Sequence, residues 1–133
     1  MTTIHHSPLL RQALLADATT SAAFGLLMLL GAGPLSHRLG LPEGLLRAAG
    51  AVLLPYVALL AWLSLREQLN RMIVWTVVIG NALWAADSIL LLLSGWVTPT
   101  SAGYAFVILQ ALAVLMYAEF QFVGLRRSNA AAA

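Results

Sequence analysis

Of the 133 residues, 61% are hydrophobic and 9% are charged, against about a quarter charged in a soluble domain. A water-soluble globular fold is excluded, and the chain reads as all-α, a polytopic membrane protein whose four transmembrane helices form a bundle with the lipid bilayer as its partner. Cysteine is absent, which excludes disulfides and thiolate metal sites, and the net charge of +2 rests on seven arginines near span ends, where they read as topology signals and imply no nucleic acid.

Crossing a bilayer core takes roughly 20 apolar residues, and four blocks are long enough, at about 9–32, 43–65, 71–95 and 100–125. They make one domain, 1–128, with 129–133 ("NAAAA") read as an appended tail. Residues 1–10 lack the basic n-region of a signal peptide, so the first block reads as a retained helix. Arg11, Arg66, Arg71, Arg126 and Arg127 fall on one side, with Arg38 and Arg47 on the other. The excess places both termini in the cytoplasm, and the arginine-only, Ala/Leu-rich composition fits the cytoplasmic membrane of a bacterium.

The first span opens on Ser7-Pro8, an N-cap before a first-turn proline, and "GAGP" (31–34) is expected to stop it. Its acid, Asp17, lies about 9 Å of helix from Arg11. It reads as snorkelling to the interface or as a cap, or else as a site residue on a face shared with Ser21, Gly25 and Met28. The second span starts at "LPEGLLR", with Glu43 and Arg47 four residues apart. In its middle, Pro55-Tyr56 frees a carbonyl near residue 51 and opens room for a cavity facing Tyr56. The connection "REQLN" is short, so the second and third spans are expected to be antiparallel neighbours.

Asn70 is placed to cap the third span and Gly95 to end it. Within it, Gly80, Trp84, Asp87 and Leu91 share a face, and Asn81 points about 120° away from Asp87. Thr98-Pro99 opens the fourth span, whose polar seam is Gln110, Ala113, Tyr117, Gln121 and Gly124. Asp87 and Gln110 lie roughly 6 and 5 Å beyond the midplane on the same side, which predicts a hydrogen bond between them, and the indole N–H of Trp84 is expected to find its partner in Asp87 or Gln110. Asp87 then either clamps two helices or serves a ligand or a proton. Glu119 reads as an interface acid near Arg66 or Arg71, while Trp62, Trp75 and Trp96 read as belt residues.

The chain also aligns with itself. "LLADATTSAAFGLLMLLG" (14–31) over "VIGNALWAADSILLLLSG" (78–95) shares six of eighteen residues at an offset of 64, setting Asp17 on Asn81. "LSLR" (63–66) matches "VGLR" (123–126) at an offset of 60. Two tandem helical hairpins would relate by an axis along the membrane normal, with a site near that axis.

The stretch "NALWAADSILLLLSGW" with "PTSAGYAFVILQALAV" resembles small four-helix bacterial integral membrane proteins of unassigned function. With "LLADATTSAA" in the first span, the chain is also similar in outline to small multidrug-resistance exporters, a resemblance that implies transport. It departs from them in having Asp17 where a glutamate is usual and further acids in the third and fourth spans.

No span contains a histidine, and His5-His6 lack further ligands, so no metal, haem or other cofactor is expected. No nucleophile–base set is visible, so no catalytic residue and no enzyme activity are expected. The candidate ligand-binding residues are Asp87, Gln110, Trp84, Tyr117, Asn81 and Tyr56. The expected function is to bind or translocate a small apolar or cationic ligand, as a homo-oligomer or with a partner membrane protein. The alternative is a non-catalytic accessory or assembly protein whose buried polar groups only fix helix packing.

Overall fold

The computed structural model describes residues 3–5 and 7–130, without the side chains of 129 and 130. His6 and the last three residues of the tail lie outside it. Ser7 caps the first helix, α1 (Pro8–Leu30), by accepting from the Leu10 N–H at 3.1 Å, and proline at the first position costs no hydrogen bond there. The other long helices are α3 (Glu43–Leu65), α4 (Arg71–Ser94) and α5 (Ser101–Arg127). All four are long and apolar enough to cross a membrane, and together they form an all-α bundle. Asn70 caps α4 through the Met72 N–H, and Gly95 ends it at φ 80°, a conformation that favours glycine. The α5 cap is Thr100 rather than the expected Thr98, because its hydroxyl reaches the Gly103 N–H.

Gly31 ends α1, but the chain does not loop there. It turns at once into a short helix, α2 (Ala32–Leu39), with Pro34 in its first turn and Gly40 at φ 68° after its last. The proline lacks only an N–H that a first turn leaves unpaired, and the glycine supplies the left-handed cap. Thr100 fastens α2 to the start of α5: its N–H donates to the Leu39 carbonyl at 3.0 Å and its hydroxyl to the Arg38 carbonyl at 2.7 Å. The opposite end carries an element that hydropathy does not show. Three short strands, β1 (Thr3–His5), β2 (Gln68–Asn70) and β3 (Asn129–Ala130), form an antiparallel sheet in the order β2-β1-β3. Ile4 pairs with Leu69, and both side chains are buried with Leu10, Leu60, Leu63 and Val74.

Helix association inside lipid rests on close packing, which small residues permit. α1 packs on α3, α4 on α5, and α1 on α5. Gly25 of α1 faces Gly50 of α3, where a Cβ on Gly50 would lie 2.6 Å from the Gly25 carbonyl oxygen. At Gly124 of α5 a Cβ would come within 2.7 Å of the Leu10 backbone. A Gly50→Ala substitution therefore forces backbone apart and is expected to destabilise the bundle by about 1–3 kcal/mol, measured as unfolding in mixed micelles.

The second and third spans are antiparallel neighbours as expected, but only toward the sheet end: there Leu60 and Leu63 of α3 share a buried cluster with Val74 and Val77 of α4, and beyond the Tyr56–Asn81 contact the two helices part. The glycine contact holds α3 against α1, and no corresponding small-residue contact draws α4 to α3: a Cβ on Gly80 would meet nothing within 4 Å. The perimeter therefore runs α3, α1, α5, α4 and opens between α3 and α4 from the Tyr56–Asn81 contact toward the α2 end. On α4 the buried residues are Val74, Val77, Val78, Asn81 and Ala85, with none in the last nine positions of the helix.

Candidate functional site

Each long helix sends one polar side chain to a common point. Asp17 of α1 is 1% exposed, Asn81 of α4 5% and Gln121 of α5 0%, with Tyr56 of α3 beside them. Asp17 Oδ2 accepts from the Tyr56 hydroxyl at 2.7 Å, from Gln121 Nε2 at 2.7 Å and from Asn81 Nδ2 at 3.0 Å. Asp17 Oδ1 accepts from the Ser21 hydroxyl, one turn further along α1, at 2.9 Å. Asn81 Nδ2 also donates to Gln121 Oε1 at 2.8 Å, and the Tyr56 hydroxyl also lies 2.7 Å from Asn81 Oδ1. Among the described residues no buried side-chain nitrogen or oxygen lacks a partner. The four groups around the carboxylate are neutral, and among the described residues the ion pair is Glu43 with Arg47 at the surface.

This arrangement corrects the reading of Asp17 as an interfacial or capping acid. Snorkelling requires a face that can reach water, whereas Asp17 lies on the face of α1 that also carries the buried residues Leu10, Ala13, Leu14 and Gly25. Two signals for it stand in the sequence: the small-residue face shared with Ser21 and Gly25, and the 64-residue offset that sets Asp17 on Asn81. Those two side chains are in direct contact. Gln121 belongs to the predicted α5 seam but was missed as a site residue, because its depth matches neither Asp87 nor Gln110.

Toward the α2 end the bundle widens into a cavity of about 300 Å³. Its polar edge comprises Thr20, Ser21, Trp84, Asp87, Ser88, Gln110 and Tyr117, and much of the remainder is apolar, including Phe24 and Phe106 stacked edge-to-face at 5.6 Å. A second cavity of about 240 Å³ lies between α3 and α4 and reaches Tyr56 and Asn81. The two share Ser21, Leu53, Trp84 and Val114 as walls, so Ser21 touches both cavities and the Asp17 cluster. The Thr20 and Tyr117 hydroxyls, 2.5 Å apart, bridge α1 and α5 between the cluster and the larger cavity.

The predicted Asp87–Gln110 bond does not form. Gln110 Oε1 accepts from the Trp84 indole at 2.9 Å, while Gln110 Nε2 donates to the Ser88 hydroxyl at 2.9 Å. Trp84 and Ser88 sit one turn apart on the side of α4 that faces α5, which is why they capture the amide. Asp87 is turned toward the opening between α3 and α4, where it is exposed, lines the larger cavity, and makes no hydrogen bond or ion pair among the described residues. It is therefore no clamp between helices. Of the six residues read as candidates, Asp87, Gln110, Trp84 and Tyr117 line the larger cavity, while Tyr56 and Asn81 join the Asp17 cluster and line the smaller one.

Glu119 is exposed on α5, without a partner among the described residues, and His5 is exposed on β1. Among the described residues no three His, Cys, Asp or Glu side chains gather to hold a metal. No protein-family model, curated protein or solved structure matches this chain.

Proposed function

We propose that the protein binds, and carries within the membrane, a small, mainly apolar molecule bearing a positive charge, with Asp87 as the counter-charge. The observation that carries this reading is a carboxylate at membrane depth with no partner among the described residues, standing on a cavity of about 300 Å³. A charge in a span costs about 2.5–3.5 kcal/mol at the helix centre and is ordinarily paired. An unpaired one beside an empty apolar space fits a site whose partner arrives with the ligand. The aromatic pair and Trp84 offer faces to a cation, and Gln110, Ser88, Thr20 and Tyr117 offer hydrogen-bonding groups. In this reading the membrane is the bacterial cytoplasmic membrane and the sheet end faces the cytoplasm, because Arg11, Arg66, Arg71, Arg126 and Arg127 flank that end. No catalytic role is assigned.

The test is equilibrium binding of benzyltrimethylammonium to the protein in lipid nanodiscs. Asp87→Asn, which keeps the shape and removes the charge, is expected to weaken binding at least tenfold without lowering the unfolding midpoint. Equal binding by both proteins would overturn the assignment of Asp87.

A second reading, an accessory protein whose polar groups only set helix pairing, has one observation in its favour. The Asp17 cluster is saturated and touches all four long helices, as a packing device should. It accounts for Asp17, Tyr56, Asn81 and Gln121, but it leaves the cavity and Asp87 without a purpose. A homo-oligomer or partner membrane protein is compatible with either reading.

A further inference from the structure

Resting on the reading of Asp87 as a ligand counter-charge, we infer that the ligand is a bilayer-dissolved amphiphile, a single-chain lipophilic amine, which reaches the site sideways between α3 and α4. Its ammonium group pairs with Asp87, and its alkyl chain lies in the seam.

Few routes lead to the site. At the sheet end, Ile4 and Leu69 are buried among Leu10, Leu60, Leu63 and Val74, which closes the bundle beneath the Asp17 cluster. At the other end, α2 is fastened to α5 by the two Thr100 bonds, and Ala32, Leu39 and Leu41 are buried with Met28, Leu46 and Val107 above the cavity. The α1–α3, α1–α5 and α4–α5 faces are packed. What remains is the seam between α3 and α4, and there the walls are apolar and exposed: Leu45 is 37% exposed and Val52 59%. Both cavities run along this seam, the smaller lined by Val52, Leu59, Val77 and Gly80, the larger by Leu45, Asp87 and Leu91.

The seam faces lipid rather than water, because it lies within two spans. A molecule that uses it must already be dissolved in the bilayer, and Asp87, exposed on that side, selects one carrying a positive head. The apolar length of the two adjoining cavities suits an alkyl chain, which a compact polar solute would leave empty.

The natural absence of cysteine makes the test clean. The antiparallel register set by the Tyr56–Asn81 contact brings Leu45 level with Leu91, to within about one 1.5 Å residue rise. Leu45→Cys with Leu91→Cys, and separately Val52→Cys with Gly80→Cys, would be bridged by a short bis-maleimide in nanodiscs. Binding of dodecylamine and of benzyltrimethylammonium would be followed by scintillation proximity. Bridging either pair is expected to slow dodecylamine binding at least tenfold relative to the same double-cysteine protein left unreacted. Dodecylamine binding that depends on Asp87 but is indifferent to the bridge would overturn the lateral route and leave the ligand assignment standing. Binding of neither amine by the unbridged protein would overturn both. A chain-to-chain product from Gly80→Cys alone would show a second copy seated on the seam and would also overturn the inference.

Discussion

Asp17→Leu is expected to lower the stability of the bundle by about 2–5 kcal/mol, from three lost interhelical hydrogen bonds worth about 0.6–1.7 kcal/mol each in a membrane. Leucine branches at the same carbon but is bulkier than aspartate, so crowding at this buried position adds to the loss of hydrogen bonds. The substitution leaves Asn81 and Gln121, both buried, with amide protons facing a methyl group. Asp17→Asn separates shape from charge. The two carboxylate oxygens are used unequally, Oδ2 by three donors and Oδ1 by Ser21 alone. An asparagine can place its oxygen where Oδ2 was and turn its amide to Ser21, whose hydroxyl can accept as readily as donate. Asp17→Asn is therefore expected to lose less than about half of what Asp17→Leu loses. Equilibrium unfolding in bicelles measures both, and equal losses would show that the charge, rather than the bond pattern, holds the cluster.

Asp87→Leu is expected to act in the opposite direction. The side chain is exposed within a span and makes no bond among the described residues, so its replacement removes a cost and breaks nothing. On the insertion scale, exchanging aspartate for leucine at a helix centre is worth about 3–4 kcal/mol, and somewhat less off-centre. A stability gain of about 1–3 kcal/mol should accompany loss of benzyltrimethylammonium binding. A variant that is more stable and functionally dead is the signature of a residue kept for something other than the fold. A stability loss would instead place Asp87 among the packing residues.

How much of this was legible beforehand divides along a physical line. Spans and caps are local properties of the chain, set by runs of apolar residues and by side chains that reach three residues ahead, and Ser7 and Asn70 cap as read. Depth was legible too, since Gln110 does bond to α4 at the expected level. Facing was not. Trp84 and Asp87 share a face of the wheel, so Gln110 was expected to serve both; it accepts from the indole as expected, but its amide goes to Ser88 rather than to Asp87. Asp17 was misjudged for a related reason: its distance from Arg11 is a sequence quantity, but its burial depends on which helices α1 meets. The sheet joins three segments far apart in the chain, each too short to carry a period of two. The opening between α3 and α4 follows from Gly25 meeting Gly50, a pairing that neither glycine announces alone.

The Tyr56 hydroxyl has one proton and faces two acceptors, Asp17 Oδ2 and Asn81 Oδ1, at the same 2.7 Å. It can satisfy only one at a time. One arrangement of heavy atoms thus supports two bonding patterns of unequal strength, the charge-assisted one tying α3 to α1 and the neutral one tying α3 across the seam to α4. Exchange between them moves one hydrogen and no backbone, so whatever weakens the carboxylate as an acceptor strengthens the tie across the seam.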